Sequence, residues 1–117
     1  MRAISIISIP VTDQQVAKEF YLKMGFKIMV EAPFQGDSMW IQMTLPDVET
    51  SITLVNWFPE LKAGSIRGFV INCEDLDADI KQLTDKGIEV GPADKTPWGR
   101  FATVNDPDGN AWSLHGK

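Results

Sequence analysis

Two kinds of apolar spacing alternate along the chain. AISIISIPV near the start, then FKIMVEA, SMWIQMTL and SITLVNW, are short runs rich in β-branched and aromatic residues, bounded by Gly, Pro, Asp or Ser, as strands are. Val16, Phe20 and Met24 instead fall on one face of a helix, and Leu76, Ile80 and Leu83 repeat that spacing. Further strand-like runs, SIRGFVINC, IEVGP, RFATVN and NAWSLHG, flank the second helix.

The two helical stretches share their punctuation. Asp13 and Asp75 stand where an N-cap carboxylate accepts orphan backbone N–H groups, and Gly25 and Gly87 follow at equal distances as left-handed C-terminal stops. IPVTDQQVAKEFYLKMGFKI and INCEDLDADIKQLTDKGIEV are therefore copies of one unit. The order is β-α-β-β-β, twice, with repeats at about 1–58 and 65–117 joined by FPELKAG, whose Pro59 and Gly64 mark a linker too short to separate independent folds. The predicted class is α+β, with 1–117 a single domain in which two modules form a curved mixed-sheet cleft with helices on the outer face. Near the end, Pro107, Asp108 and Gly109 predict a type I hairpin turn with a bulge, Asp108 bonding its own backbone.

Composition narrows the function classes. With 44% hydrophobic and 23% charged residues the chain has the balance of a globular protein rather than a disordered one. A net charge of -5 with scattered Lys and Arg argues against nucleic acid, and no apolar run reaches a membrane span. The opening residues read as a first strand rather than a signal peptide, and the lone Cys73 has no disulfide partner, so a cytoplasmic setting is expected.

The paired units, the VTD helix start, the FYLKMGFKI helix end and the NDPDGNAWSL hairpin together resemble the vicinal oxygen chelate superfamily. That family takes in glyoxalase I, extradiol dioxygenases, fosfomycin-modifying enzymes and bleomycin-resistance proteins. The resemblance implies two modules forming a cleft, commonly in a homodimer, and, in the enzymes, a divalent metal on the concave face. The ligand positions it implies fall here on Ile6, Thr53, Gly68 and Ser113. None is a carboxylate or imidazole, and a one-residue register change offers Ile7, Ile52, Phe69 and Trp112 instead, so neither metal nor other cofactor is expected.

Alternation places Trp40, Gln42 and Thr44 toward the cleft and Met39, Ile41 and Met43 toward the helix. Trp40 is the leading stacking surface, the alternative being a core tryptophan between units. Trp57, Phe58 and Trp98 lie at strand ends or in loops as ligand walls or interface anchors. ADKTPWGR reads as a lid loop whose Arg100 faces an anionic group or solvent. The candidate binding set is Trp40, Gln42, Thr53, Trp57, Trp98, Arg100, Ser113 and His115, the last being the only histidine; no catalytic nucleophile–base pair can be assembled. Glu31, Asp37 and Glu49 read as surface carboxylates, and Cys73 as a small buried hydrophobe. The expected function is metal-free binding of a small aromatic or cationic organic molecule, as in drug sequestration, by a homodimer. A glyoxalase-like lyase or isomerase using His115, an enzyme holding metal through non-standard ligands, and an interaction module with no small ligand are the alternatives.

Overall fold

A computed structural model describes all 117 residues. The order is β1 (Ile6–Pro10), α1 (Gln14–Lys23), β2 (Lys27–Pro33), β3 (Met39–Thr44), β4 (Ser51–Val55), then β5 (Phe69–Asn72), α2 (Leu76–Asp85), β6 (Asp94–Thr96), β7 (Gly99–Asn105) and β8 (Ala111–Gly116). Two four-stranded mixed sheets result, ordered β1-β4-β3-β2 and β5-β8-β7-β6. In each, the first strand runs parallel to the last and the other pairings are antiparallel, so the predicted repeat is a repeat of topology.

The caps follow the chemistry of their residues. Asp13 accepts from the backbone N–H groups of Gln15 and Val16 at 3.0 and 3.1 Å, and Asp75 from Ala78 at 3.1 Å. Gly25 (φ +105°) and Gly87 (φ +83°) take the left-handed conformation that ends each helix. The buried face of α1 differs from the expected one. Ala17 and Tyr21 are fully buried and Gln14 nearly so, whereas Val16 is 51% exposed, with Phe20 and Met24 only partly covered. Gln14 explains the rotation, because its side chain binds the two central strands of the sheet beneath it, β3 and β4. Its amide donates to the carbonyls of Met39 (2.7 Å) and Leu54 (2.8 Å) and accepts from Met39 N–H at 3.0 Å. In α2 the expected face holds, with Leu76 and Leu83 buried and Ile80 packed beside them.

Ile9, Ile41, Met43, Ile52 and Leu54 of the first sheet pack under α1 with Tyr21, Phe26 and Trp112; Val104 and Leu114 of the second pack with Leu76 and Leu83. Phe20 and Met24 touch both clusters, so the modules share a seam. Asp106 locks that seam. Its Oδ2 accepts from the Tyr21 hydroxyl (2.7 Å) and the Asn110 amide (2.8 Å), and its Oδ1 from the backbone of Asp108 and Asn110 (both 2.9 Å). Trp112 completes the network by donating its indole N–H to the Tyr21 oxygen at 2.9 Å, and Asn110 reaches the Pro10 carbonyl at 2.8 Å. Burial and the neighbouring Asp106 charge hold the Tyr21 hydroxyl protonated far above its usual range.

The turn at Pro107–Gly109 forms as expected, with Gly109 at φ +95°. Asp108, however, bonds not its own backbone but Thr12, accepting from its hydroxyl at 2.7 Å and its N–H at 3.1 Å; Asp106 makes the bonds within the turn. IEVGP contributes only a bridge from Val90 to Val104, since Pro92 has no N–H to donate. The lid loop is instead a hairpin of β6 and β7, tightly turned at Pro97–Trp98.

Candidate functional site

Each sheet has one face under its helix and one left open. On the first sheet the parity is as expected: Ile41 and Met43 are buried against the helix, and Trp40, Gln42, Ser51 and Thr53 project from the opposite face. The one-residue alternative is settled by the core: Ile52 and Trp112 belong to the cluster beneath α1, and Ile7 and Phe69 pack against it. Ile6, Thr53, Gly68 and Ser113 therefore belong to the open side of their strands.

The open face of the first sheet is aromatic. Trp40 and Trp57 stack at 6.1 Å between ring centroids and 23° between planes, and Phe34 contacts both, at 5.4 and 4.7 Å. Phe58 adjoins Trp57 at 5.9 Å. A polar relay fixes this surface from within. The Trp40 indole N–H donates to Gln42 Oε1 (3.2 Å), the Gln42 amide donates to Ser51 Oγ (2.8 Å), and Ser51 Oγ donates to the Ser5 carbonyl (3.2 Å). With its N–H spent inside the protein, Trp40 offers ring surface rather than a hydrogen bond. Thr53 is 1% exposed and pairs with Ser8 at 3.4 Å, so it lies beneath the surface and supports it.

A second group sits on the open face of the other sheet. Val70, Ser113 and Thr103 share one row, and Asn72, His115 and Phe101 the next. His115 stacks on Phe101 at 4.6 Å, and both its ring nitrogens are engaged within the chain, Nδ1 with Asn72 Oδ1 (2.9 Å) and Nε2 with the Trp98 carbonyl (2.7 Å). Trp98 projects from the hairpin tip with 79% of its surface exposed. Arg100 turns away to the helix side: its guanidinium grips Asp77 through two 2.9 Å bonds and donates Nε to the Lys117 carbonyl. That pair holds the Asp77 carboxyl below the usual range, and Arg100 is neither a free cation nor simply solvated.

No hydrogen bond or ring contact joins the Trp40 group to the His115 group within one chain. The molecule extends 45 × 35 × 25 Å. Sequence reasoning missed Phe34 as part of the aromatic surface and Phe101 as the ring under His115. Alternation along β7, with Ala102 and Val104 buried, was the signal that would have placed Phe101 on the open face.

The residues at the implied metal positions do not make a divalent-ion site. Ile6 and Gly68 carry no donor atom, Thr53 is covered, and Ser113 is a lone neutral hydroxyl. No cluster of three His, Cys, Asp or Glu side chains converges elsewhere. Burial, aided by nearby Asp79, pushes the Cys73 thiol up to about 11, so it is no thiolate ligand at neutral pH. Glu31 and Glu49 are paired with Lys18 and Arg2 on the surface. No helix is long and apolar enough to cross a membrane.

Comparison with known proteins agrees with this architecture. TnmS3, an antibiotic binding protein from Streptomyces sp. CB03234, is 38% identical, with a TM-score of 0.92 over 98% of this chain and 95% of its own. A glyoxalase/bleomycin resistance protein from the same organism is also 38% identical, with a TM-score of 0.86 over 97% of this chain and all of its own. The uncharacterized protein YetH of Bacillus subtilis (strain 168) is 28% identical, covering 97% of this chain and 98% of its own. The model of the glyoxalase/bleomycin resistance protein/dioxygenase superfamily matches residues 3–114. With the paired β-α-β-β-β modules and near-complete match, the chain belongs to that superfamily.

Proposed function

We propose that this protein sequesters a flat aromatic small molecule, preferentially a cationic one, by stacking it on the Phe34–Trp40–Trp57 surface without transforming it and without a metal. The observation that carries the reading is that three rings share one open sheet face while the polar atoms among them are already satisfied by one another. Such a surface recognises π area and, in a chain of net charge -5, favours positive charge. TnmS3, similar over nearly the whole chain, is an antibiotic binding protein, which supports a drug-like guest.

In this reading the protein is a homodimer, and the second copy supplies the facing wall: Trp98, Ser113 and the stacked His115–Phe101 pair. Exposed apolar side chains on these faces, Val70, Phe34 and Phe58 besides Trp98, support such a partner. Gln42 and Thr53 act from beneath by fixing the floor. A cytoplasmic setting fits the single unpaired cysteine. The lyase reading is disfavoured because both nitrogens of the only histidine are engaged in the fold.

Titration of tryptophan fluorescence with a panel of aromatic and cationic dyes, 9-aminoacridine among them, tests the proposal. Saturable quenching that weakens about tenfold in Trp40→Leu is expected, from a stacking contribution of about 1–1.5 kcal/mol. Absence of saturable binding across the panel, or a stoichiometric divalent ion in the purified protein, would overturn it.

A further inference from the structure

Trp98 combines a fixed backbone with a free ring. Its N–H donates to Thr96 Oγ1 (3.1 Å), and Thr96 in turn donates its hydroxyl to the Gly99 carbonyl (2.7 Å). On the other side its carbonyl accepts from His115 Nε2 at 2.7 Å. Behind the turn, Gly99 holds φ +121° so close to β8 that an added Cβ would stand 2.5 Å from the Gly116 oxygen and 2.8 Å from His115 Nε2. The turn is therefore seated directly on the imidazole. That imidazole is itself clamped, by the Phe101 ring on its face and Asn72 at Nδ1. Because a carbonyl only accepts, Nε2 must carry the proton; Asn72 can satisfy Nδ1 in either state by turning its amide.

We propose that His115 is a positioning residue: it anchors the Trp98 carbonyl so that the indole is presented to the guest already ordered. This rests on the reading of Trp98 as a wall of the binding site. An ordered wall retains its guest longer because little side-chain and loop freedom is lost on binding. The role also explains how the sole histidine serves a binding protein without acting as an acid or base.

The test compares wild type with His115→Ala, His115→Gln and Trp98→Ala, all as the full chain. Backbone hydrogen exchange over residues 94–100, nitrogen NMR of the single histidine, and the dissociation rate of 9-aminoacridine are read together. Expected are a protonated Nε2 in wild type and, in His115→Ala, exchange and probe dissociation each faster by about fivefold, the effect of one net hydrogen bond. Gln, whose amide also donates, should restore most of both, and Trp98→Ala should accelerate dissociation while leaving the histidine resonances protonated at Nε2 or shifted only locally. A wild-type Nε2 without its proton, or unchanged exchange and dissociation in His115→Ala, overturns the proposal. A global loss of protection in His115→Ala leaves the decision to the Gln variant, where failure to restore the hairpin overturns it as well. Should the probe fail to bind wild type, the site reading falls and the purpose of the latch with it, while exchange and NMR still report whether the anchor exists.

Discussion

The two modules share a topology and differ in what holds them. The first rests on a large apolar core, with Gln14 clamping α1 to two strands and rings spread over the open face. The second has a smaller core and relies on polar anchors: Asp106 at the seam, Arg100 on Asp77, and His115 under the β6–β7 hairpin. One module offers a broad surface and the other a braced projection. Duplication therefore fixes the strand order while leaving each open face to acquire its own chemistry, which is how this scaffold carries unrelated functions.

Removing the anchor on which the halves most depend should have the largest effect. Asp106→Ala strands the Tyr21 hydroxyl, the Asn110 amide and two backbone N–H groups, and should destabilise by about 4 kcal/mol in urea unfolding. A loss below about 1 kcal/mol would mean that the seam is held by apolar contact alone. Gly99→Ala comes next. Its Cβ would meet backbone of β8 at a positive φ, for a cost of about 2–3 kcal/mol, whereas Gly25→Ala, with open space around it, should lose only about 1 kcal/mol.

Tyr21, the only tyrosine, gives the comparison a pH signature. Its folded pKa lies above the unfolded value of 10.0, so above that pH the native state binds the extra proton and stability falls as pH rises. Alkaline unfolding should begin above about pH 10, with tyrosinate absorbance appearing together with loss of structure rather than before it. At the smallest end stands the exposed Arg2–Glu49 pair of the first module. Arg2→Ala should leave the unfolding midpoint within experimental scatter, since solvent screens such pairs.

Much of this was legible in the sequence, and the misses have physical causes. The repeat, both helix caps and the parity of β3 follow from local rules, and the structure bears each out. The face of α1 was misread because Gln14, a polar residue, is buried by its bonds to Met39 and Leu54, which no hydrophobic pattern reports. Strand β6 was misplaced because IEVGP has the stronger strand composition, yet Pro92 breaks its ladder and the Thr96–Gly99 turn pairs the polar DKT instead. Arg100 looked free because Asp77 is distant in the chain and meets it only through the fold. Asp106, like Phe101, had left a signal: an Asp just before Pro-Asp-Gly sits where a side chain commonly bonds the turn that follows.

The central claim is that ring surface on the first module, rather than hydrogen bonding, carries recognition. Calorimetric titration of 9-aminoacridine into wild type and into the Trp40→Leu, Trp57→Leu double variant tests it most directly. The account predicts saturable binding to wild type and a loss of at least tenfold in the double variant with folding intact. Equal affinity for the two proteins would contradict it.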